Sequence, residues 1–183
     1  MSSTEVFPSE RAATTVLSGR DRAGTDAFRR PVGLGQAAGM TTTPDPRLLD
    51  FVAEQRWGVL ATIRGDGRPQ LSNVGYAYDR ASGVVRISVT ADRAKTRNLE
   101  RDPRASLHVT SADFWTWVVV EGTADLTPVA ADPHDGTVEE LVAYYRGVNG
   151  EHPDWDDYRQ AMVAERRLVV RLPVEHAYGQ LPG

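Results

Sequence analysis

Not one of the 183 residues is a cysteine. That excludes disulfides, thiolate nucleophiles and any Cys-ligated metal site, and it fits a reducing cytoplasm. Histidine is scarce too: His108, His134, His152 and His176 are scattered, and none stands at metal-ligand spacing from another, so no metal site is expected. No apolar run approaches the ~20 residues that span a bilayer. The N-terminus offers only the isolated pairs Val6-Phe7 and Val16-Leu17 where a secretory signal needs a sustained apolar stretch. A cytoplasmic protein with no membrane partner is the expectation. Positive charge is not in excess either. A net charge of −4 excludes a general nucleic-acid binder, which needs a basic face for the phosphate backbone. GxGxxG, GxxxxGK[ST] and the nucleophile-elbow pattern are all missing, so nucleotide-kinase and hydrolase readings lose their usual support.

What is present is an ordinary soluble composition, 40% hydrophobic and 25% charged, which argues for a folded domain. The length suits one domain with a real core and is too short for two. Residues 1–40 form a separate N-terminal extension, rich in Ser, Thr, Gly, Ala and Arg and without an apolar period, and are expected to be mostly disordered. They read either as a basic arm (Arg20, Arg22, Arg29, Arg30) or as sequence upstream of a true start at Met40. The folded domain is expected over residues 41–183.

Pro46 at a first helical position, followed by Leu48, Leu49, Val52 and Ala53, predicts a short amphipathic helix. WGVLATI (57–63) predicts a strand, closed by Gly65-Asp66-Gly67 and followed by a hairpin partner at 68–78. Further strands are predicted at 84–90, 104–111, 115–126 and 168–179. Helices are predicted at 92–103, capped by Asp92, and at about 134–149 and 155–165. Six strands joined mostly by hairpins, without βαβ alternation, predict a mainly β, α+β fold: a six-stranded antiparallel split β-barrel decorated by short helices.

Three stretches can carry chemistry. In SVTADRAKTRNL (88–99) a strand runs into a helix start, where unpaired N–H groups and the dipole attract anions. Arg93, Lys95 and Arg97 add cations, and Ser88, Thr90 and Thr96 add hydroxyls, which together would cradle a phosphate. The same run reads equally as a solvated basic helix. On the second strand, alternation sends Arg68, Gln70, Ser72, Val74 and Tyr76 to one face and Leu71, Asn73 and Ala77 to the other. Its amides could meet the polar edge of a ring, or simply face solvent. Phe114, Trp115 and Trp117 read as core, as subunit interface, or as a wall for a planar cofactor.

The order WGVLATIRGDGRPQLSNV, ISVTADRAKTRNLERDPRASLHV, VVVEGTADL and RLVVRLPVEHAYG resembles the FMN-binding split-barrel superfamily of pyridoxamine 5'-phosphate oxidase-like proteins. Within it, the chain is similar to the F420-dependent branch, the B group of flavin/deazaflavin oxidoreductases. The resemblance covers residues 46–183, and GRPQLSNV with RAKTRNLxRDPRAS are its most specific pieces. It implies a homodimer with two cofactor sites at the interface. It implies that Lys95, Arg93 and Thr96 hold the cofactor phosphate, and that Ser88 and Thr90 line the deazaflavin ring. Gln70 and Asn73 would touch that ring from the second strand, and Trp115 and Trp117 would reach the site from the partner subunit. The C-terminal RLPVEHAYGQLPG lacks the basic and aromatic signature of pyridoxamine-phosphate oxidases proper, which argues against vitamin B6 oxidation.

The implied activity is hydride transfer between reduced coenzyme F420 and a planar conjugated small molecule. The cofactor carries the hard chemistry, which accounts for a sequence in which no catalytic acid, base or nucleophile stands out. Arg93, Arg97 and Arg101 would offer the acidic tail of F420 a basic track. Two other readings fit the same residues: an FMN-dependent enzyme of the same fold, and a non-catalytic flavin- or deazaflavin-binding carrier or sensor.

Overall fold

The computed structural model describes residues 44–182, so the expectations for residues 1–40 lie outside the described residues. The chain begins with α1 (Pro46–Glu54), where Asp45 accepts the Arg47 N–H at 2.9 Å and Pro46 occupies the first turn. Then follow β1 (Trp57–Ile63), β2 (Pro69–Gly75), β3 (Ala77–Asp79), β4 (Val84–Thr90), α2 (Ala94–Arg101), β5 (Arg104–Thr110), β6 (Trp117–Thr123) and β7 (Asp125–Leu126). The last elements are α3 (Gly136–Asn149), α4 (Trp155–Ala164), β8 (Arg167–Pro173) and β9 (His176–Gln180).

The strands pair antiparallel in two sheets, of order β2-β1-β5-β6-β9 and β3-β4-β8-β7. This mixed α+β architecture corrects the expected six-stranded barrel. Three of the expected strands are each cut in two. The 68–78 segment breaks at Tyr76, whose ring is buried and whose hydroxyl donates to the Val52 carbonyl at 2.7 Å, tying α1 to the sheet junction. The 115–126 segment breaks at Ala124, whose N–H turns to the Pro103 carbonyl. The 168–179 segment breaks after Pro173, which has no N–H to continue a ladder. Each break lets the chain pass from one sheet to the other.

Alternation fills the space between the sheets. Leu60, Val74, Val85, Ile87, Leu107, Val109, Val118, Val120 and Leu172 point inward and are buried with Val52. Each such side chain contributes about 1.5–3 kcal/mol. At one corner the sheets touch through backbone: a Cβ on Gly122 would stand 2.0 Å from the Pro173 carbonyl oxygen, so only glycine fits. A second cluster forms where α3 and α4 cover the outer face of the smaller sheet. It buries Val138, Leu141, Val142, Tyr158 and Met162 against Val169. No helix of the described residues is long and apolar enough to cross a membrane.

Among the described residues, no helix covers the outer face of the five-stranded sheet in this way. Trp57 is 57% exposed and Leu71 65%, and on the same face Trp117 meets Tyr178 edge to face at 6.1 Å.

Candidate functional site

Three of the four helices among the described residues begin under an aspartate. Asp45 caps α1, Asp135 caps α3 by accepting the Val138 N–H at 2.8 Å, and Asp154 caps α4 by accepting the Asp156 and Asp157 N–H groups at 3.0 Å. Helix α2 differs. Its N-cap position is Arg93, whose side chain makes no capping hydrogen bond. The expected Asp92 cap is therefore a correction. The helix starts at Ala94, which leaves Asp92 one residue too early to reach the first-turn N–H groups. Its carboxylate takes the Thr90 hydroxyl instead, at 2.9 Å, and that bond holds it below the ordinary aspartate range. The residue at the N-cap of α2 thus supplies no side-chain acceptor to the positive end of the helix, a setting in which a bound anion would be stabilised.

Around this helix start the predicted cradle residues come together. Thr90 ends β4, and its hydroxyl oxygen also accepts from Arg93 Nε at 3.2 Å. Thr96 is fully buried and donates its hydroxyl to the Thr90 carbonyl at 2.9 Å, which pins the first turn of α2 to the end of β4. Lys95 sits half-buried in that same turn. Ser88 stands two residues back on the same face of β4 as Thr90, and Arg167 from β8 reaches its hydroxyl at 3.4 Å. The donor set is a guanidinium, an ammonium, hydroxyls and a helix N-terminus, which suits a phosphate.

Gln70 joins the site through α2 rather than directly. It lies on the inward face of β2 with Ser72 and Val74, while Asn73 and Leu71 face outward. Gln70 and Asn73 thus point to opposite faces of one strand, so a ring lying on one face of β2 could meet only one of them. Asn98, buried on α2, donates Nδ2 to Gln70 Oε1 at 3.0 Å and to the buried Thr62 hydroxyl at 3.1 Å. The pairing of Asn98 with Thr62 is not among the sequence expectations, although both residues carry a signal. Thr62 is a polar residue at an inward strand position, and asparagine is a poor helix interior residue unless its amide is used. Arg101, expected to face an acidic tail, has its Nη2 turned inward to the Ile63 carbonyl at 2.6 Å and Asn98 Oδ1 at 3.1 Å.

The tryptophans are placed elsewhere. Trp115 is not on a strand. It stands 76% exposed at the tip of the β5–β6 hairpin beside Phe114, which is 75% exposed and holds a left-handed φ of 66°. Asp113 and Ser111 lock the tip: Asp113 Oδ1 accepts the Trp115 N–H at 3.1 Å, and Ser111 Oγ accepts the Thr116 N–H at 3.1 Å. Trp117 opens β6 on the outer sheet face, against His108 and Tyr178. The pairings Gln70–Thr62–Ala105–Gly122 put Gln70 level with Gly122, at the other end of β6. Five residues of strand separate Trp117 from that level, about 17 Å at ~3.4 Å per residue. Within this chain, Trp117 and the strand level of Gln70 thus stand at opposite ends of β6.

A family model described as pyridoxamine 5'-phosphate oxidase matches residues 44–180. An F420H(2)-dependent biliverdin reductase of Mycobacterium tuberculosis (strain CDC 1551 / Oshkosh) is 25% identical over 139 residues, covering 76% of this chain and 90% of that protein. Among solved structures, a conserved hypothetical protein from Mycobacterium tuberculosis superposes with a TM-score of 0.60 at 26% identity, over 76% of this chain and 89% of the other. A structure titled F420 reductase gives a TM-score of 0.53 at 24% identity, over 70% and 94% of the two chains, and shares the fold. The family match takes in every described helix and strand, the α2 cradle included, and this chain belongs to the pyridoxamine 5'-phosphate oxidase family.

Proposed function

We propose that this protein is an F420-dependent oxidoreductase, working as a homodimer on a planar conjugated small molecule in the cytoplasm. The observation that carries the reading is the start of α2, the one helix among the described residues with a cation where the others have an aspartate cap. The similarity to a protein named an F420H(2)-dependent biliverdin reductase supports the choice of cofactor. Bound here, reduced F420 would supply the hydride.

The chain's own residues bind and orient. Lys95, Arg93, Thr90 and the first-turn N–H groups of α2 hold the phosphate, and Thr96 keeps that turn against β4. Ser88 and Gln70 flank the ring, and Arg97 meets the acidic tail. The uncovered outer face of the five-stranded sheet, with Trp57, Leu71 and Tyr178 exposed, is the dimer face. Large apolar side chains exposed together on one sheet face mark an association site. A two-fold arrangement is what would let Trp115 and Trp117 of one subunit wall the cradle of the other, and would put Asn73 at the interface.

An FMN-dependent enzyme of the same fold is the second reading, favoured by the family's own description as an oxidase. Titrating the purified protein with F420 and with FMN, following cofactor fluorescence, separates the two. Tighter F420 binding is expected, with a salt dependence that lessens in Arg97→Ala because FMN and F420 differ in the charged tail. A clearly lower dissociation constant for FMN would overturn the deazaflavin choice.

A further inference from the structure

Arginine can only donate hydrogen bonds, and at one place in this fold that restriction propagates through two amides. Arg101 Nη2 lies 3.1 Å from Asn98, so the Asn98 atom facing it must be the carbonyl oxygen. The Asn98 nitrogen is thereby turned the other way, toward β1 and β2. There its two protons go to the Thr62 hydroxyl at 3.1 Å and to Gln70 at 3.0 Å. The Gln70 atom receiving that proton must in turn be its oxygen. Thr62, having accepted from Asn98, donates its own proton to the same oxygen at 3.4 Å, so Gln70 Oε1 accepts twice. Gln70 Nε2 is left pointing away. One N–H goes to Ser72 Oγ at 2.9 Å, and the other makes no hydrogen bond among the described residues. Arg101 itself is fixed by the Ile63 carbonyl at 2.6 Å, and Asn98 and Thr62 are buried, so the chain of contacts has little freedom to reverse.

We infer that Gln70 is a donor-only, specificity-determining contact of the cofactor site, and that Arg101, Asn98 and Thr62 are positioning residues that set the polarity of its amide. The cofactor assignment rests on the function proposed above; the amide relay does not. A glutamine with a free choice of orientation accepts or donates as the ligand requires. This one presents N–H only, and so selects a ring edge bearing a carbonyl oxygen. Because Asn98 lies one turn along α2 from Lys95, the same residue also ties the helix of the phosphate cradle to the strand that reads the ring.

Asn98→Asp tests the relay at a single atom. The aspartate keeps its contact with Arg101 but places an oxygen against Gln70 Oε1, which forces the Gln70 amide to turn its NH2 inward and its oxygen outward. F420 affinity, read by fluorescence titration, should fall about tenfold, the size of one lost hydrogen bond to the ring. Gln70→Ala should lose about as much. In the Gln70→Ala background, Asn98→Asp should add less than about twofold, since coupled residues are non-additive. Arg101→Lys, another donor-only side chain, should lose less affinity than Arg101→Gln, whose amide can turn an oxygen to Asn98, and an equal loss in both would overturn the part given to Arg101. Full retention of the Asn98→Asp loss in the Gln70→Ala background would show that Asn98 acts through the helix alone, and would overturn the relay. A second readout needs no cofactor. In the ligand-free protein the Gln70 side-chain amide signals in a ¹H–¹⁵N spectrum should move on Asn98→Asp, and unmoved signals would overturn the relay whatever the affinities. A folded wild-type protein that binds neither F420 nor FMN, with the Gln70 signals still moving, would remove the cofactor assignment and leave the relay standing. Should Asn98→Asp fail to fold, Gln70→Glu reads the same point. Its carboxylate accepts from Asn98 as before but has no proton for the ring, so affinity should fall about tenfold, and an unchanged affinity would overturn the inference.

Discussion

Thr96→Val separates a phosphate ligand from a structural staple. The Thr96 side chain is fully buried, and its hydroxyl proton is committed to the Thr90 carbonyl at 2.9 Å. Valine keeps the branched shape and removes that bond. Losing a buried hydrogen bond costs about 1 kcal/mol, and up to about 3 when the partner is left without any donor. The Thr90 carbonyl is not so left, because the Arg93 N–H also approaches it at 3.3 Å. The lower figure therefore applies, and the added methyl offsets part of it by up to about 0.8 kcal/mol. A net loss of about 0.2–1 kcal/mol should lower the melting temperature by about 1–4 °C in a domain of this size. Thr96→Ser keeps the bond and loses a methyl group, with a similar thermal penalty of about 1 kcal/mol. The two variants should differ in the cradle. Only valine frees the first turn of α2 from β4, and F420 binding should weaken about threefold or less, with serine at wild-type affinity. Thermal melts paired with fluorescence titrations give both numbers. A loss of tenfold or more in Thr96→Val at an unchanged melting temperature would mean that the hydroxyl touches the phosphate itself, and the staple reasoning would fail.

Lys95→Ala should weaken cofactor binding by roughly 10- to 100-fold at near-normal thermal stability, as expected when a bond of about 1.5–3 kcal/mol to a charged group is lost, and Lys95→Arg should lose less. Titrations of the three proteins check this, and equal affinity throughout would move the phosphate elsewhere. Sedimentation at micromolar concentration should report a dimer, and the double variant Trp57→Asp/Leu71→Asp should shift it to monomer; a wild-type monomer would remove the interface reading. Asp79 gives the expected acid response. Bonds from the Ser82 hydroxyl and the Ala81 N–H, opposed by slight burial and helped by Arg86, hold its carboxyl at about 2. A depressed pKa stabilises the fold above the ordinary aspartate range, and that contribution is lost as pH falls from about 4 toward about 2. Asp79→Asn should therefore melt lower at neutral pH and change less over that acid window, and an unaltered acid limb in its melting curves would count against the assignment.

Much of the fold could be read from local chemistry. WGVLATI and VVRISVT emerge as β1 and β4 with the predicted bounds, because apolar β-branched residues alternate between turns built on Gly65, Gly67 and Gly83. The C-terminal helices fall at Gly136–Asn149 and Trp155–Ala164, close to expectation, since Asp135 and Asp154 mark their starts. What could not be read is where a strand changes sheets. Tyr76 sits at an inward position in an unbroken alternation, and nothing local says that its hydroxyl will reach Val52 twenty-four residues earlier. The split into two sheets is a tertiary event at Tyr76, Ala124 and Pro173, and only the last carries a local marker.

The candidate site shows the same limit at the scale of single atoms. Sequence grouped Thr90, Arg93 and Thr96 at one helix start, and their side chains do meet there. Sequence could not say how each proton is spent. Asp92 and Arg93 are neighbours, and a shift of one residue in the helix start decides which occupies the cap. With arginine there, the helix end stays open to an anion; with aspartate, it would be filled. Arg97 and Arg101 are alike by composition and four apart on one helix. Yet Arg101 turns in to the Ile63 carbonyl and Asn98, because β1 runs beneath it and offers an acceptor at 2.6 Å. The two arginines therefore take different work. Arg97 is exposed for charge, where salt should screen its effect, and Arg101 fixes an amide two contacts away, where salt should matter little. That difference follows from packing against β1, and no reading of charge along the helix alone could supply it.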